Sequence, residues 1–190
     1  MASDPGVLRA EPDGVSIVRL ACYRGRAELG ARLVELGAEV DPFDAAALGD
    51  VDRLRDLLDD DPDAATAEAA DGFSALHLAA WFGRPRCAEL LLARGADPEQ
   101  VAGNGTDLRP LHSAAAAGQT VIAHLLLDRG ADIEAPQQAG VRALHSAAHR
   151  DDAAMVALLL DRGADPAAAT DDGRTARDLA SDPAVLALLP

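Results

Sequence analysis

The chain of 190 residues contains no lysine, although it carries 17 arginines, and it has a single asparagine, Asn104, and three isoleucines. The scarce residues are those of AT-rich codons, so the bias points to a GC-rich, bacterial source. Without lysine, no side chain can carry ubiquitin or acetyl-lysine marks. Aromatics are also few: one Trp, one Tyr and three Phe. A core built instead from alanine and leucine suits a tight stack of closely approaching helices. Positive charge is in deficit, the net charge being −15, so a basic stripe for nucleic acid is excluded. The acidic excess serves solubility and speeds encounter with basic partners. Cys22 and Cys87 are the only cysteines. Both lie in apolar helical patterns, where buried free thiols of a reducing compartment are expected. The first 13 residues hold no apolar run of signal-peptide length. No window approaches the roughly 18 apolar residues of a membrane span. A cytoplasmic protein without a membrane partner is expected, with residues 1–14 as a disordered tail.

What is present is a repeat. Gly-Ala-Asp occurs at Gly95-Ala96-Asp97, Gly130-Ala131-Asp132 and Gly163-Ala164-Asp165. Leu-His occurs in phase with it, at Leu76-His77, Leu111-His112 and Leu144-His145. Both series step by 35 and then 33 residues, a period that marks stacked supersecondary units. Each unit reads as a short helix, a turn and a longer helix ended by glycine. The longer helices carry apolar pairs one turn apart, as in Ile122-Ala123 with Leu126-Leu127 and Met155-Val156 with Leu159-Leu160.

The Leu-His start, the Ala79-Ala80, Ala114-Ala115 and Ala147-Ala148 pairs, the turn glycines Gly83 and Gly118, and the Leu-Leu-x-x-Gly-Ala-Asp endings resemble the ankyrin repeat. The resemblance covers about residues 15–190 and is most specific over 71–165. It implies an all-α solenoid of stacked helix-turn-helix units with short hairpin fingers. The units would span about 15–41, 42–70, 71–104, 105–137, 138–170 and 171–190, with atypical end units. Between the first two there is no room for a finger. Arg109 and Arg142 stand where a capping hydroxyl is usual, and Asp151 stands where a turn glycine is usual. The two units concerned should be less stable than a consensus unit.

Catalytic and metal chemistry find little support. His77, His112 and His145 recur one unit apart. Stacked helices lie roughly 8–10 Å apart, so these histidines cannot share a metal. They are expected to tie finger to short helix by hydrogen bonds. His145 and His149 have the i,i+4 spacing of a metal pair but no third ligand. The run Asp59-Asp60-Asp61-Pro62-Asp63 lacks the pattern of a calcium loop and reads as a solvated helix exit. Neither a nucleophile–base set nor a phosphate loop emerges, so no enzyme, cofactor or metal is expected.

The informative side chains are those that the stack does not require. Two positions precede each turn glycine, or Asp151 in its place: Tyr23-Arg24, Ala47-Leu48, Trp81-Phe82, Ala116-Ala117 and His149-Arg150. In ankyrin-like proteins this ladder, with the finger tips, lines the concave groove that grips partners. Trp81, Phe82, Tyr23, Arg24, Leu48, Phe73 (on a finger tip), His149 and Arg150 are therefore the candidate partner-binding residues. Aromatics and arginine are the usual anchors of interfaces. A second role is open to Trp81, as a cover folded over Phe82 or a neighbouring unit. Phe43, placed in the histidine slot, is expected in the core. The function expected is non-enzymatic binding of a protein, unidentified, by a monomer. The alternative is an acidic regulatory or immunity-type inhibitor of a basic enzyme or nucleic-acid-binding protein. Self-assembly through the apolar end residues Leu186, Leu188 and Leu189 is a third reading.

Overall fold

The computed structural model describes residues 14–190, so the tail expected over 1–14 lies outside the described residues except for Gly14. Among the described residues twelve α-helices occur and no strand. The nearest approach to a sheet is two isolated bridges, Glu68 with Ser74 and Ala169 with Thr175. The all-α architecture expected from the repeat is what forms.

The helices come in pairs and fall into two compact units, the first running to Asp97 and the second starting at Pro98. In the first, α1 (Ile17–Tyr23) pairs with α2 (Ala27–Glu35), α3 (Pro42–Leu48) with α4 (Val51–Asp60), and α5 (Ala75–Trp81) with α6 (Pro85–Ala93). Here α3 lies between α1 and α5, and α4 packs on α6. In the second, α7 (Pro110–Ala117) pairs with α8 (Thr120–Asp128), and α9 (Ala143–His149) with α10 (Ala153–Asp161). The last two helices, α11 (Ala176–Leu179) and α12 (Pro183–Leu186), are one turn each. There α9 lies between α7 and α11, and α10 between α8 and α12.

Local chemistry sets the boundaries. The side chains of Ser16, Asp41 and Ser74 accept the third helical N–H of α1, α3 and α5, which satisfies a donor otherwise orphaned. Gly49 and Gly118 close α3 and α7 in the left-handed conformation that glycine adopts without strain. The aspartate run behaves as an exit: α4 stops at Asp60, and a 3-10 turn over Pro62–Ala65 follows, capped by Asp61. The apolar pairs of the long helices face inward, with Ile122, Ala123, Leu126, Met155, Val156 and Leu159 all sealed.

The repeated histidines tie the fingers down. In the second unit, Nδ1 of His112 accepts the Arg109 N–H at 3.0 Å, while Nε2 donates to the Ala135 carbonyl at 2.9 Å. His145 does the same with Arg142 N–H (3.1 Å) and the Ala168 carbonyl (3.1 Å). Each ring thus joins its own helix start to the following finger, 23 residues on. Burial pushes the His145 pKa below its ordinary value, and the neutral ring is the form both bonds require.

Departures from the consensus acquire other roles. Arg109 and Arg142 offer no acceptor to their helices. Their guanidinium groups instead donate to the Pro136 and Ala169 carbonyls and pair with Glu99 and Glu134. Those two glutamates accept the N–H groups of Asp132 and Asp165, so each links one repeat to the next. Asp151 does take the left-handed turn conformation, at φ 54°. Its carboxylate then accepts the N–H groups of Ser181 (2.7 Å) and Asp182 (2.8 Å), anchoring the start of α12.

One sequence assignment needs correcting. The slot filled by the histidines, third in the helix, holds Asp44 in α3 rather than Phe43. From N-cap to glycine, α3 is one residue shorter (Asp41 to Gly49) than α5 (Ser74 to Gly83) and α7 (Arg109 to Gly118), so counting back from the glycine slips by one residue. In α1 the same slot holds Arg19.

Candidate functional site

The ladder residues fall at the C-terminal ends of the short helices. Tyr23, Leu48, Trp81 and His149 are the last residues of α1, α3, α5 and α9, and Arg24, Phe82 and Arg150 are the caps that follow. Within the first unit the structure brings several of them together and divides them into two kinds.

Leu48, Phe73 and Phe82 are half-buried, packed with Phe43 and Ala27 on a core of Cys22, Ala47 and Leu78. Leu48 leans on α2 so closely that a Cβ at Gly30 would lie 3.0 Å from its methyl group, which accounts for a glycine inside that helix. Phe73 sits not free on a finger tip but 5.8 Å from the His77 ring. Packing therefore claims much of these three side chains.

Tyr23, Arg24 and Trp81 point outward. Trp81 is 46% exposed and Tyr23 38%. The Tyr23 ring lies 5.6 Å from Phe82 at a tilt of 48°, and its hydroxyl donates to the Asp71 carboxylate at 2.9 Å. Burial and that carboxylate push the phenol well above its usual range, so it stays a donor. The ring that covers Phe82 is therefore Tyr23, and half of the indole beside it remains in solvent. Within the second unit, His149 and Arg150 are exposed at the end of α9, and Arg150 leans over Gly118.

The first unit also holds a polar cluster that the repeat pattern does not signal. Arg19, only 2% exposed, lies 3.3 Å from Asp41, 3.6 Å from Asp44 and 3.9 Å from Asp71, with its guanidinium 5.4 Å from the Phe43 ring centre. Asp44 is buried too, and it accepts the Ser16 hydroxyl at 2.5 Å. Burial, with the Asp41 carboxylate beside it, pushes the Asp44 pKa up to about 6 despite Ser16 and Arg19. Aligning the helices on their N-caps rather than their glycines reveals Arg19 and Asp44 in successive histidine slots.

Such an arrangement can grip but offers little reactivity. The Cys22 and Cys87 thiols are buried, free and pushed up to about 11 by burial. They are not thiolates at neutral pH. His145 uses both ring nitrogens in structural bonds. Among the described residues no group of three or more His, Cys, Asp or Glu is placed to hold a metal ion, and no helix is long and apolar enough to cross a membrane.

Helix pairs, tethering histidines and hairpin fingers agree with the family models that match. Residues 42–137 match ankyrin repeats (3 copies), and residues 126–180 match ankyrin repeats (many copies). The chain belongs to the ankyrin-repeat family. It is also similar to an E3 ubiquitin-protein ligase, XB3, of rice (Oryza sativa subsp. japonica), at 44% identity over 73 residues. That match takes in 38% of this chain and 16% of the rice protein, so the chain spans a small part of that relative's length. Ankyrin repeats generally mediate protein–protein interaction.

Proposed function

We propose that the chain binds a protein partner, without catalysis, through the concave face of its short helices, anchored on Trp81. The observation that carries this reading is the half-exposed indole of the only tryptophan in an aromatic-poor chain. It stands on a helix whose preceding residues are sealed. Tyr23 and Phe82, whose rings lie 5.6 Å apart, stand like Trp81 at the ends of short helices, while Arg24, Leu48 and Phe73 complete the contact surface to differing degrees. Rigid aromatic anchors on a preformed scaffold make hot spots, because little entropy is lost on binding. His149 and Arg150 are assigned a lesser part. We read the 73 residues shared with the rice protein as a common repeat scaffold, not as a ligase module. The setting proposed is a bacterial cytoplasm, which suits two free buried thiols and the arginine-for-lysine bias. The six helix pairs are taken as six repeats, bounded near residues 41, 70, 104, 137 and 170.

The test is affinity capture from lysate of the native host by the wild-type chain, Trp81→Ala and His149→Ala, with folding checked by circular dichroism. A protein retained by wild type and His149→Ala but lost with Trp81→Ala is the expected result, since truncating an anchor costs more than about 1–2 kcal/mol of binding. Equal capture by Trp81→Ala would overturn the assignment. The acidic residues along α4, from Asp50 to Asp60, favour a second reading in which a basic enzyme or nucleic-acid-binding protein is inhibited. Steep weakening of capture with salt would distinguish it.

A further inference from the structure

The chain's single asparagine stands between two glycines, at Gly103-Asn104-Gly105, and the repeat gives it no role. Three of the fingers are closed by a backbone bond spanning four residues, from Ala69 to Phe73, Gln137 to Val141 and Thr170 to Arg174. In the finger before α7 the matching bond runs from the Ala102 N–H to the Leu108 carbonyl, six residues on, at 2.8 Å. Two extra residues therefore lengthen this tip, which turns over 103–106. Asn104 and Gly105 are exposed there, and a Cβ built at Gly105 would meet nothing within 4 Å. The Asn104 Oδ1 accepts both the N–H (3.3 Å) and the hydroxyl (2.6 Å) of Thr106. The Thr106 N–H can only donate, which fixes that side-chain atom as the oxygen. A side chain bonded two residues ahead folds back along its own following peptide, so the amide carbon lies beside the Gly105 nitrogen.

We propose that Asn104 is a site of spontaneous deamidation, converted in the folded chain to aspartate and isoaspartate through a cyclic imide. The Gly105 nitrogen gives up its proton to hydroxide and attacks the Asn104 side-chain carbon. A C–N bond forms and closes the imide ring, while the amide nitrogen takes a proton from water and leaves as ammonia. Water then adds to either imide carbonyl and reopens the ring, so neither an oxidant nor an enzyme is needed. Opening at one carbonyl gives an ordinary aspartate; opening at the other routes the main chain through the side-chain carbons. Glycine permits the first step, because a Cβ on the attacking residue would crowd the ring. A surface turn also leaves that nitrogen more freedom to move than a helix would. Two other tips carry aspartate before glycine, Asp71-Gly72 and Asp172-Gly173. A carboxylate is a far weaker electrophile than an amide, and these two are held by Tyr23 and Arg174. Reaction at Asn104 adds a negative charge and, in the isoaspartyl product, a methylene to the backbone of the finger. The Gln138 N–H bonds to the Thr106 carbonyl at 3.2 Å, so the longer backbone disturbs the tie to the following finger.

The test holds the full chain folded at physiological pH and temperature and follows it over weeks by intact mass and peptide mapping. Wild type should gain the mass difference between a hydroxyl and an amino group, all of it in the peptide that contains Asn104. An isoaspartyl methyltransferase should methylate the aged chain, with isoaspartate in excess over aspartate at this position. The rate should rise with pH, since the Gly105 nitrogen must lose a proton, and should be comparable to that of the chain unfolded in guanidinium. Asn104→Gln should stop the mass gain and the methylation, because the larger ring closes far more slowly. Hydrogen exchange at Gln138 should quicken in aged wild type and stay unchanged in aged Asn104→Gln. A folded chain that keeps its amide overturns the proposal, and the unfolded sample then shows whether the geometry of the finger prevented the attack. Equal methylation of Asn104→Gln, a mass gain at a glutamine, or aspartate formed without isoaspartate also overturns it.

Discussion

Arg19 and Asp44 form an ion pair at 3.6 Å between neighbouring short helices, and both side chains are buried. They occupy the slots that neutral histidines fill further along the chain. A histidine there serves helix start and finger with one uncharged ring, whereas Arg19 and Asp44 do so with opposite charges that depend on each other. Removing one partner leaves a buried charge unanswered, and Arg19→Met should destabilise the protein by about 3–5 kcal/mol. Replacing Arg19 and Asp44 together by apolar residues should cost less than the single change. Chemical denaturation of the two variants decides the point.

The same pair should be visible in the pH dependence of stability. Asp44, at about 6 in the folded chain, holds its proton more tightly than an unfolded aspartate near about 3.9. Its contribution is therefore largest below the unfolded pKa and is lost as pH rises through the folded value. Asp151, Asp172 and Asp178, held below the usual range by hydrogen bonds, act in the opposite sense and at lower pH. Melting curves between pH 4 and 7 should show Asp44→Asn without the part of the decline that this group causes. Identical slopes for wild type and Asp44→Asn would mean that Asp44 is ionised across the whole range.

Leu126 is fully buried in α8, three residues before the exposed Arg129. Leu126→Ala removes packed methyl groups and leaves a cavity, which costs about 2–5 kcal/mol. Arg129→Ala should stay within about 0.5 kcal/mol. The two melting shifts, measured side by side, check whether the apolar stripe of the long helices is the core.

Asp151 joins a turn to the last helix pair through two backbone N–H groups. Asp151→Gly keeps the left-handed turn without strain but removes the carboxylate. Hydrogen exchange should then quicken at residues 181–189 while protection in α8 and α9 is unchanged. A uniform loss of protection would mean that the end pair is not a local unit.

The helix pairs were legible because their apolar positions repeat. Leu76, Leu111 and Leu144 announce the same slot, and the structure seals all three. The histidine bonds were legible for the same reason. Arg19 was not, since arginine is read as exposed unless its partners are known, and Asp41, Asp44 and Asp71 reach it only through the stacking of α1, α3 and the finger before α5. The candidate site was half legible. Position before the turn glycine marked Trp81 and Tyr23 as dispensable to the core, yet it could not separate them from Leu48 and Phe82, whose neighbours across helices claim them. Sequence spacing records where a side chain attaches, and burial depends on what the adjoining helix brings to it.

Trp81 is the only tryptophan, so the fluorescence of the chain reports on the proposed anchor alone. With 46% of the residue exposed, its emission in the free protein should lie toward the long-wavelength, water-exposed limit, and acrylamide should quench it readily. An anchor that enters a partner's pocket loses its water. Adding a captured partner should therefore move the emission to shorter wavelength and slow quenching. Arg129→Ala, exposed at the end of α8, should leave both responses as they are in the wild type. If the partner binds with no change in emission or quenching, Trp81 stays in solvent throughout, and the contact lies on another face of the repeats.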